Sequence, residues 1–213
     1  MREDGYTGGM SLSQWAFAAA YDVLNASVEW RIARYRRATA GIVTGDVLEI
    51  GGGSGANLRF FPADARLTFL EPNPHMVRKL RRRAAKLERH IEIVQDVGET
   101  MPFEDATFDT VLTTLVLCTV RDLGAVVAEA RRVLRPGGRF IFYEHVAATG
   151  RAGRALQGGL NPAWKWATTG CHLDRDIESA VRSAGFSEVT VDHFNIRFGT
   201  PIALPNVVGV ATV

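Results

Sequence analysis

The stretch Asp46-Val-Leu-Glu-Ile-Gly-Gly-Gly-Ser-Gly-Ala56 decides the fold. Its first five residues are typical of a short apolar strand, and glycines follow at once. We expect a helical turn or two over residues 56–61, ended by Pro62. Glycines permit a tight turn and the close approach of a ligand to the backbone. Ligands of open α/β sheets bind beyond the carboxyl ends of the strands, so this loop is the first candidate binding site.

The chain on either side of this loop alternates between strand and helix patterns. Helices are predicted over residues 13–40, 74–89, 122–134 and 174–184. Further strands are predicted over residues 66–71, 91–95, 108–115, 139–145, 189–194 and 207–213. The pattern indicates a Rossmann-like, doubly wound α/β sheet of seven strands. The last two strands have no helix between them, which favours an antiparallel last strand.

The predicted organisation has two parts. Residues 1–45 form an N-terminal helical lid, and residues 46–213 form the main ligand-binding domain. Residues 147–172 form a small cap inserted after strand five, over the carboxyl edge of the sheet.

Composition excludes several classes of protein. The chain has 213 residues, 25 Lys and Arg against 23 Asp and Glu, and 46% hydrophobic residues, as in a globular domain. The basic cluster over residues 78–89 lies in a predicted helix and is interpreted as a solvated face, so no nucleic-acid partner is expected. Five histidines without ligand spacing and the absence of a C-x-x-C motif favour no metal. Without a signal peptide or a long apolar run, a cytoplasmic protein is expected.

The glycine loop fits two motifs. Gly51, Gly53 and Ala56 satisfy the dinucleotide fingerprint G-x-G-x-x-G/A, and Glu71 stands 20 residues after Gly51, as a ribose-binding acid would. These residues alone leave a dinucleotide and another nucleoside cofactor equally open.

The surrounding motifs favour a nucleoside cofactor other than a dinucleotide. The pattern Glu49-x-Gly51-x-Gly53-x-Gly55 resembles motif I of the class I S-adenosylmethionine (SAM) methyltransferases, whose acid lies near the methionine part of SAM. Glu71 then resembles the acid that binds both ribose hydroxyls, and Asp96-Val97 resembles the adenine site. Residues 103–109 and 134–139 resemble the family's entries to strands four and five. The resemblance implies SAM as cofactor.

Pieces outside these general motifs point to one subgroup. In order along the chain they are Gly55-Ala-Asn57, Glu71-Pro-Asn-Pro74, Thr114-Leu-Val-Leu-Cys118, Glu144-His-Val146, Asn161-Pro-Ala-Trp164 and Gly170-Cys171. They resemble the methyltransferase-like seven group, whose known members are thiol S-methyltransferases. The resemblance runs from about Tyr21 to the C-terminus.

The chain departs from that group at three places. Thr169 stands where the group has an acid, and His172 stands where it has Asn. The animal members also carry a hydrophobic N-terminal membrane anchor, and we expect none here.

The resemblance implies a set of site residues. The cofactor-binding candidates are Tyr21, Glu49, Gly51, Gly53, Gly55, Asn57, Glu71, Pro72, Asp96, Val97 and Leu115. The acceptor-binding candidates are Trp15, Cys118, His145, Trp164, His172 and Phe194. His145 follows strand five at the ligand edge, so it is the first candidate for a base or for substrate positioning, with His172 second.

The predicted function is SAM-dependent methylation of a small molecule, with the sulfur of a thiol as the favoured acceptor. The alternative is O- or N-methylation of a small metabolite. More remote alternatives are an NAD-dependent oxidoreductase and a non-catalytic SAM-binding protein. The expected partner is a small-molecule methyl acceptor, and the sequence leaves monomer and homodimer equally open.

Overall fold

The computed structural model describes residues 29–168, 170–197 and 203–213. The strands are β1 (Asp46–Ile50), β2 (Arg66–Leu70), β3 (Ile91–Val94), β4 (Phe108–Thr114), β5 (Leu134–His145), β6 (Glu188–Arg197) and β7 (Ala203–Thr212). The helices are α1 (residues 29–40), α2 (Pro74–Lys86), α3 (Leu123–Val133), α4 (Arg151–Ala167) and α5 (Ile177–Ser183). None of the helices in these ranges is long and apolar enough to cross a membrane.

The seven strands form one sheet in the order β3-β2-β1-β4-β5-β7-β6. Strands β1 to β5 are parallel, and β7 runs antiparallel to both β5 and β6. The predicted seven-stranded, doubly wound sheet with its antiparallel last strand is confirmed. The chain reverses direction across the sheet between β1 and β4, and ligands of such sheets bind at this switch point.

Alternate side chains of the central strands supply two separate cores. Leu48 and Val111 belong to the core under α3 and α5, whereas Val47 and Leu112 belong to the core under α2. All four are fully buried. Burial on both faces explains why these strands are continuous apolar runs.

The predicted start of α2 is confirmed in detail. Asn73 is the N-cap residue, and its side chain accepts a 2.9 Å hydrogen bond from the His75 amide. Pro74 occupies the first helical turn, where its missing N–H has no cost. This cap follows Glu71 directly, so it fixes the chain beside the end of β2.

The structure differs from the sequence prediction at the glycine loop and at the ends of several strands. A helical turn or two was expected over residues 56–61, and residues 53–60 form successive turns that are not a regular α-helix; one of them is closed by a 2.8 Å hydrogen bond from the Phe60 amide to the Asn57 carbonyl. The positive φ values of Gly53 and Gly55 keep a regular helix from beginning before residue 56. Strand β5 also begins at Leu134, earlier than the predicted Arg139, because Leu134 pairs with Phe108.

The segment after β5 holds the 17-residue helix α4. Residues 29–40 of the predicted N-terminal helix are helical, and most of the predicted lid, including Trp15 and Tyr21, lies outside the described residues. The division into a lid over 1–45 and a domain over 46–213 stays a prediction.

Candidate functional site

The glycine loop depends on backbone conformations that favour glycine. Gly51, Gly53 and Gly55 have φ values of 67°, 54° and 79°. A Cβ atom at Gly51 would also lie 2.6 Å from a methyl group of Val116. The loop is held to β2 by a 2.7 Å hydrogen bond from the Gly51 amide to the Leu70 carbonyl. It therefore lies at the carboxyl ends of β1, β2 and β4.

Glu49 is a buried acid at the end of β1, with 4% of its surface exposed. Its Oε1 atom accepts a 2.7 Å hydrogen bond from Asn57 Nδ2, and its Oε2 atom has no hydrogen-bond partner among the described residues. Burial raises the pKa of the Glu49 carboxyl to about 8, although Asn57 and Arg36 oppose this shift. The Oε2 atom of this carboxylate is therefore available to accept a hydrogen bond from a ligand.

Asn57 connects the glycine loop to its surroundings. Its Nδ2 group also donates to Thr114 Oγ1 at 2.9 Å, and its Oδ1 atom accepts a 3.0 Å hydrogen bond from Arg36 of α1. Arg36 is itself buried, and its Nε atom lies 3.4 Å from Oε2 of Glu29. The network joins α1, the glycine loop and the end of β4.

Glu71 lies just beyond β2 and faces the same loop. Its Oε2 atom accepts a 2.8 Å hydrogen bond from the Gly53 amide, and its Oε1 atom accepts one of 2.9 Å from the Asn73 amide. Burial raises the pKa of Glu71, and these two N–H groups oppose the shift. Each carboxylate oxygen has about two acceptor sites, so each can take one more donor, such as a ribose hydroxyl.

The third predicted acid occupies the next strand end. Asp96 follows β3 and is half-buried, and its Oδ1 atom accepts a 2.8 Å hydrogen bond from the Val97 amide. The neighbouring Gln95 side chain donates to the carbonyl of Pro72 at 3.4 Å. The cofactor candidates after β1, β2 and β3 thus share one edge of the sheet.

The loop after β4 is held by an acid for which sequence reasoning assigned no such role. Glu144 is fully buried, and its Oε1 atom accepts hydrogen bonds from the Val116 and Leu117 amides at 3.0 and 3.1 Å. Leu115 adopts a φ of 57°, which is unusual for a branched residue, and its amide donates to the Tyr143 carbonyl at 2.8 Å. Such strained positions cluster at functional sites.

His145 lies in a buried cluster with two cysteines. Its Nε2 atom is 2.9 Å from Cys171 Sγ, and Cys171 Sγ is 3.4 Å from Cys118 Sγ. The indole N–H of Trp164 donates to Cys171 Sγ at 3.4 Å. Hydrogen bonding with Cys118 and His145 lowers the pKa of the Cys171 thiol, despite its burial. Three predicted acceptor-site residues are thus brought together around Cys171.

Two further acceptor candidates lie among the described residues. The His172 side chain is half-buried, and its amide donates to the Cys118 carbonyl at 2.8 Å, which fixes the cap to the β4 loop. Phe194 stacks on Tyr35 with ring centroids 3.8 Å apart and lies near Tyr143. The roles of His172, Phe194 and Trp15 in acceptor binding and of Tyr21 in cofactor binding stay predictions, and Trp15 and Tyr21 lie outside the described residues.

Glycines, acids and the switch point together define a class I SAM-dependent methyltransferase site, and comparisons with known proteins agree. A family model described as "Methyltransferase domain" matches residues 48–142. The chain is similar to thiol S-methyltransferase TMT1A of Homo sapiens, with 37% identity over 170 residues that cover 78% of this chain and 69% of that protein. Thiol S-methyltransferase TMT1B of Homo sapiens is 40% identical over 151 residues, which cover 68% of this chain and 62% of that protein.

A solved structure supports the fold. The SAM-dependent methyltransferase of Thermotoga maritima described as a possible histamine N-methyltransferase superposes with a TM-score of 0.68 at 21% identity, over 93% of this chain and 99% of that one. The chain belongs to the class I SAM-dependent methyltransferase family, and its cofactor is SAM. Within that family it resembles the thiol S-methyltransferases.

Proposed function

We propose that the protein transfers the methyl group of SAM to the sulfur of a small thiol. The observation that carries the proposal is that Glu49 and Glu71 contact the glycine loop at the ends of β1 and β2, while Cys118 and His145 stand at the ends of β4 and β5 on the same edge of the sheet. The similarity to two thiol S-methyltransferases favours sulfur over oxygen and nitrogen.

The residues present fit the cofactor. The half-paired Glu49 carboxylate is suited to the ammonium group of SAM, because a buried carboxylate is unfavourable until a cation pairs with it. Glu71 can take the ribose hydroxyls while the Gly53 and Asn73 amides keep it in place. Asp96 and Val97 follow β3 on the same edge of the sheet, and we assign the adenine ring to them. When bound, SAM supplies an activated methyl group on a sulfonium.

The protein's part in such a reaction is alignment and exclusion of water. A thiol with a pKa near 8.5 is about 3% ionised at pH 7, and its thiolate is a strong nucleophile, so alignment supplies much of the acceleration. Attack of a thiolate on a sulfonium neutralises charge, which a buried pocket favours. A protein base is needed far more for an alcohol, so the proposed role of His145 as a proton acceptor matters most for O-methylation.

A turnover assay tests the proposal. The protein is incubated with SAM and a panel of small thiols, phenols and amines, and S-adenosylhomocysteine and methylated product are read by mass spectrometry. Methylation of thiols supports the proposal. Methylation of phenols or amines without thiols would replace it with O- or N-methylation. A cytoplasmic location stays a prediction from the sequence.

A further inference from the structure

The cluster around Cys171 has the composition of a metal site. Cys118 follows β4, His145 ends β5, and Cys171 lies in the segment after α4. One ligand atom from each of the three residues lies within 4.8 Å of the others. All three side chains are buried, with exposed fractions of 2%, 5% and 9% in that order. Three elements distant in sequence thus place two sulfur atoms and one imidazole nitrogen around one point.

The distances suit a small thiophilic ion. Zinc bonds of about 2.3 Å to sulfur and about 2.0 Å to nitrogen place tetrahedral ligand atoms about 3.5–3.8 Å apart. The observed separations are 3.4 Å between the two sulfurs and 2.9 Å from His145 Nε2 to Cys171 Sγ. Side-chain rotations that lengthen the sulfur–sulfur separation by about 0.4 Å and the nitrogen–sulfur separation by about 0.6 Å would admit the ion between them.

Charge and hydrogen bonding also favour a zinc ion at this point. A single thiolate in a buried place is costly, whereas two thiolates, a neutral imidazole and a divalent cation sum to zero charge. The Trp164 indole N–H already donates to Cys171 Sγ, as suits a metal-bound thiolate. Thiolate and imidazole ligands together are typical of zinc.

We propose that Cys118, His145 and Cys171 bind one zinc ion, whose fourth position takes the sulfur of the acceptor thiol. Catalytic zinc sites use three protein ligands, including the Cys₂His set, and keep one position for water or substrate. The described residues supply three ligand atoms at this point. The site lies at the ends of β4 and β5, on the edge that carries the glycine loop. The second half of this proposal rests on the proposed function. It replaces the sequence-based expectation of no metal.

The step conserves atoms and charge. The acceptor thiol displaces water from the zinc ion and gives its proton to solvent, so its sulfur is held as a thiolate. That sulfur forms a bond to the methyl carbon with its own electron pair, while the bond from this carbon to the sulfonium sulfur breaks and leaves its pair on the departing thioether. The neutral methylated product then leaves the zinc ion, and water returns. No oxidant or reductant is needed.

The first test reads metal binding without turnover. Reduced, chelator-treated protein is titrated with Co²⁺, a spectroscopic substitute for zinc. We expect one equivalent per chain, a thiolate-to-cobalt charge-transfer band, and displacement by Zn²⁺. Cys171→Ala and Cys118→Ala should each weaken the band and the affinity at least about tenfold, because each removes one ligand. His193→Gln is the matched control, since this exposed histidine contacts Glu178 and not the cluster.

The second test adds a small thiol to the cobalt-loaded protein without SAM. We expect the charge-transfer band to grow as a third sulfur binds. Removing zinc should slow methylation at pH 7 by up to about thirtyfold, because the free thiol is about 3% ionised there. Zinc should restore the rate. Circular dichroism of each variant separates loss of the metal from loss of the fold.

The outcomes separate the two proposals. A reduced protein that binds neither ion, or Cys171→Ala protein that binds cobalt unchanged, overturns the metal site. Thiol methylation at full rate by metal-free protein overturns the part of zinc in the reaction and leaves the proposed function standing. A cobalt band that does not respond to thiols overturns acceptor coordination. Metal binding together with failure to methylate any thiol overturns the proposed function alone.

Discussion

Glu49→Gln should change stability and SAM affinity in opposite directions. The unfolded chain releases the Glu49 proton near pH 4.5, whereas the folded chain keeps it until about pH 8. The unfolded state therefore binds fewer protons in this window, so the free energy of unfolding falls as pH rises from about 4.5 to 8. At about 1.4 kcal/mol per pH unit, the cost of this carboxyl at pH 7 is about 3 kcal/mol. Replacing this ionisable carboxyl with a neutral amide should raise the stability of SAM-free protein at pH 7 by up to that amount.

SAM binding should respond in the opposite way. Pairing the SAM ammonium with Glu49 requires the ionised carboxylate, so binding releases about one proton below the raised pKa. The affinity of the natural chain should rise about tenfold per pH unit between about pH 5.5 and 7.5. In Glu49→Gln the slope should vanish, and the affinity at pH 7.5 should fall at least about thirtyfold, because a buried charge pair is lost.

Calorimetric titration with SAM in buffers of different ionisation enthalpy measures affinity and proton release together, and urea unfolding measures stability. Glu188→Gln is the control, because Glu188 is an exposed glutamate at the start of β6. A natural chain whose SAM affinity does not change with pH would show that Glu49 does not pair with the SAM ammonium. An equal slope in Glu49→Gln would show the same.

Three further changes test the frame of the site. Gly51→Ala should abolish SAM binding and lower stability by about 1–3 kcal/mol through its φ of 67° and the contact with Val116. Gly150→Ala, where a Cβ atom would meet nothing within 4 Å, should leave the melting temperature within a few degrees. Asn57→Ala should cost about 2–4 kcal/mol in urea unfolding, because it leaves the hydrogen-bonding atoms of its buried partners unpaired. Glu144→Ala should lower the free energy of unfolding by about 2–3 kcal/mol, because it leaves the Val116 and Leu117 amides without their acceptor. Glu144→Gln keeps an oxygen acceptor and should recover most of that loss. Equal losses in the two variants would contradict the role of Glu144 in holding the loop after β4.

The sheet and the cofactor side of the site were accessible from the sequence because their signals are local. The strand at Asp46–Ile50 is an apolar run that meets glycines, and Glu49 and Glu71 each stand at a strand end. Parallel strands bring such ends to one edge of the sheet, so the order of motifs along the chain predicted their proximity. The structure adds the Asn57 network, which depends on a buried Arg36 from α1.

The acceptor side depends on contacts between distant residues. Cys118, His145 and Cys171 lie 53 residues apart at the extremes, and no spacing along the chain marks them as neighbours. The role of Glu144 was equally hidden, because an acid inside a strand that binds loop amides has no sequence motif. The helical turn or two predicted over residues 56–61 takes the form of successive hydrogen-bonded turns over residues 53–60, and the positive φ values of Gly53 and Gly55 keep a regular helix from beginning earlier.

Single-turnover methyl transfer to a small thiol is the decisive measurement for S-methylation. The purified protein, in excess over SAM, is mixed with a thiol, and the methyl thioether and S-adenosylhomocysteine are quantified by mass spectrometry beside Glu49→Gln. We expect one thioether for each SAM consumed, and a strongly reduced yield in Glu49→Gln at subsaturating SAM. A protein that methylates phenols or amines and methylates no thiol would contradict S-methylation.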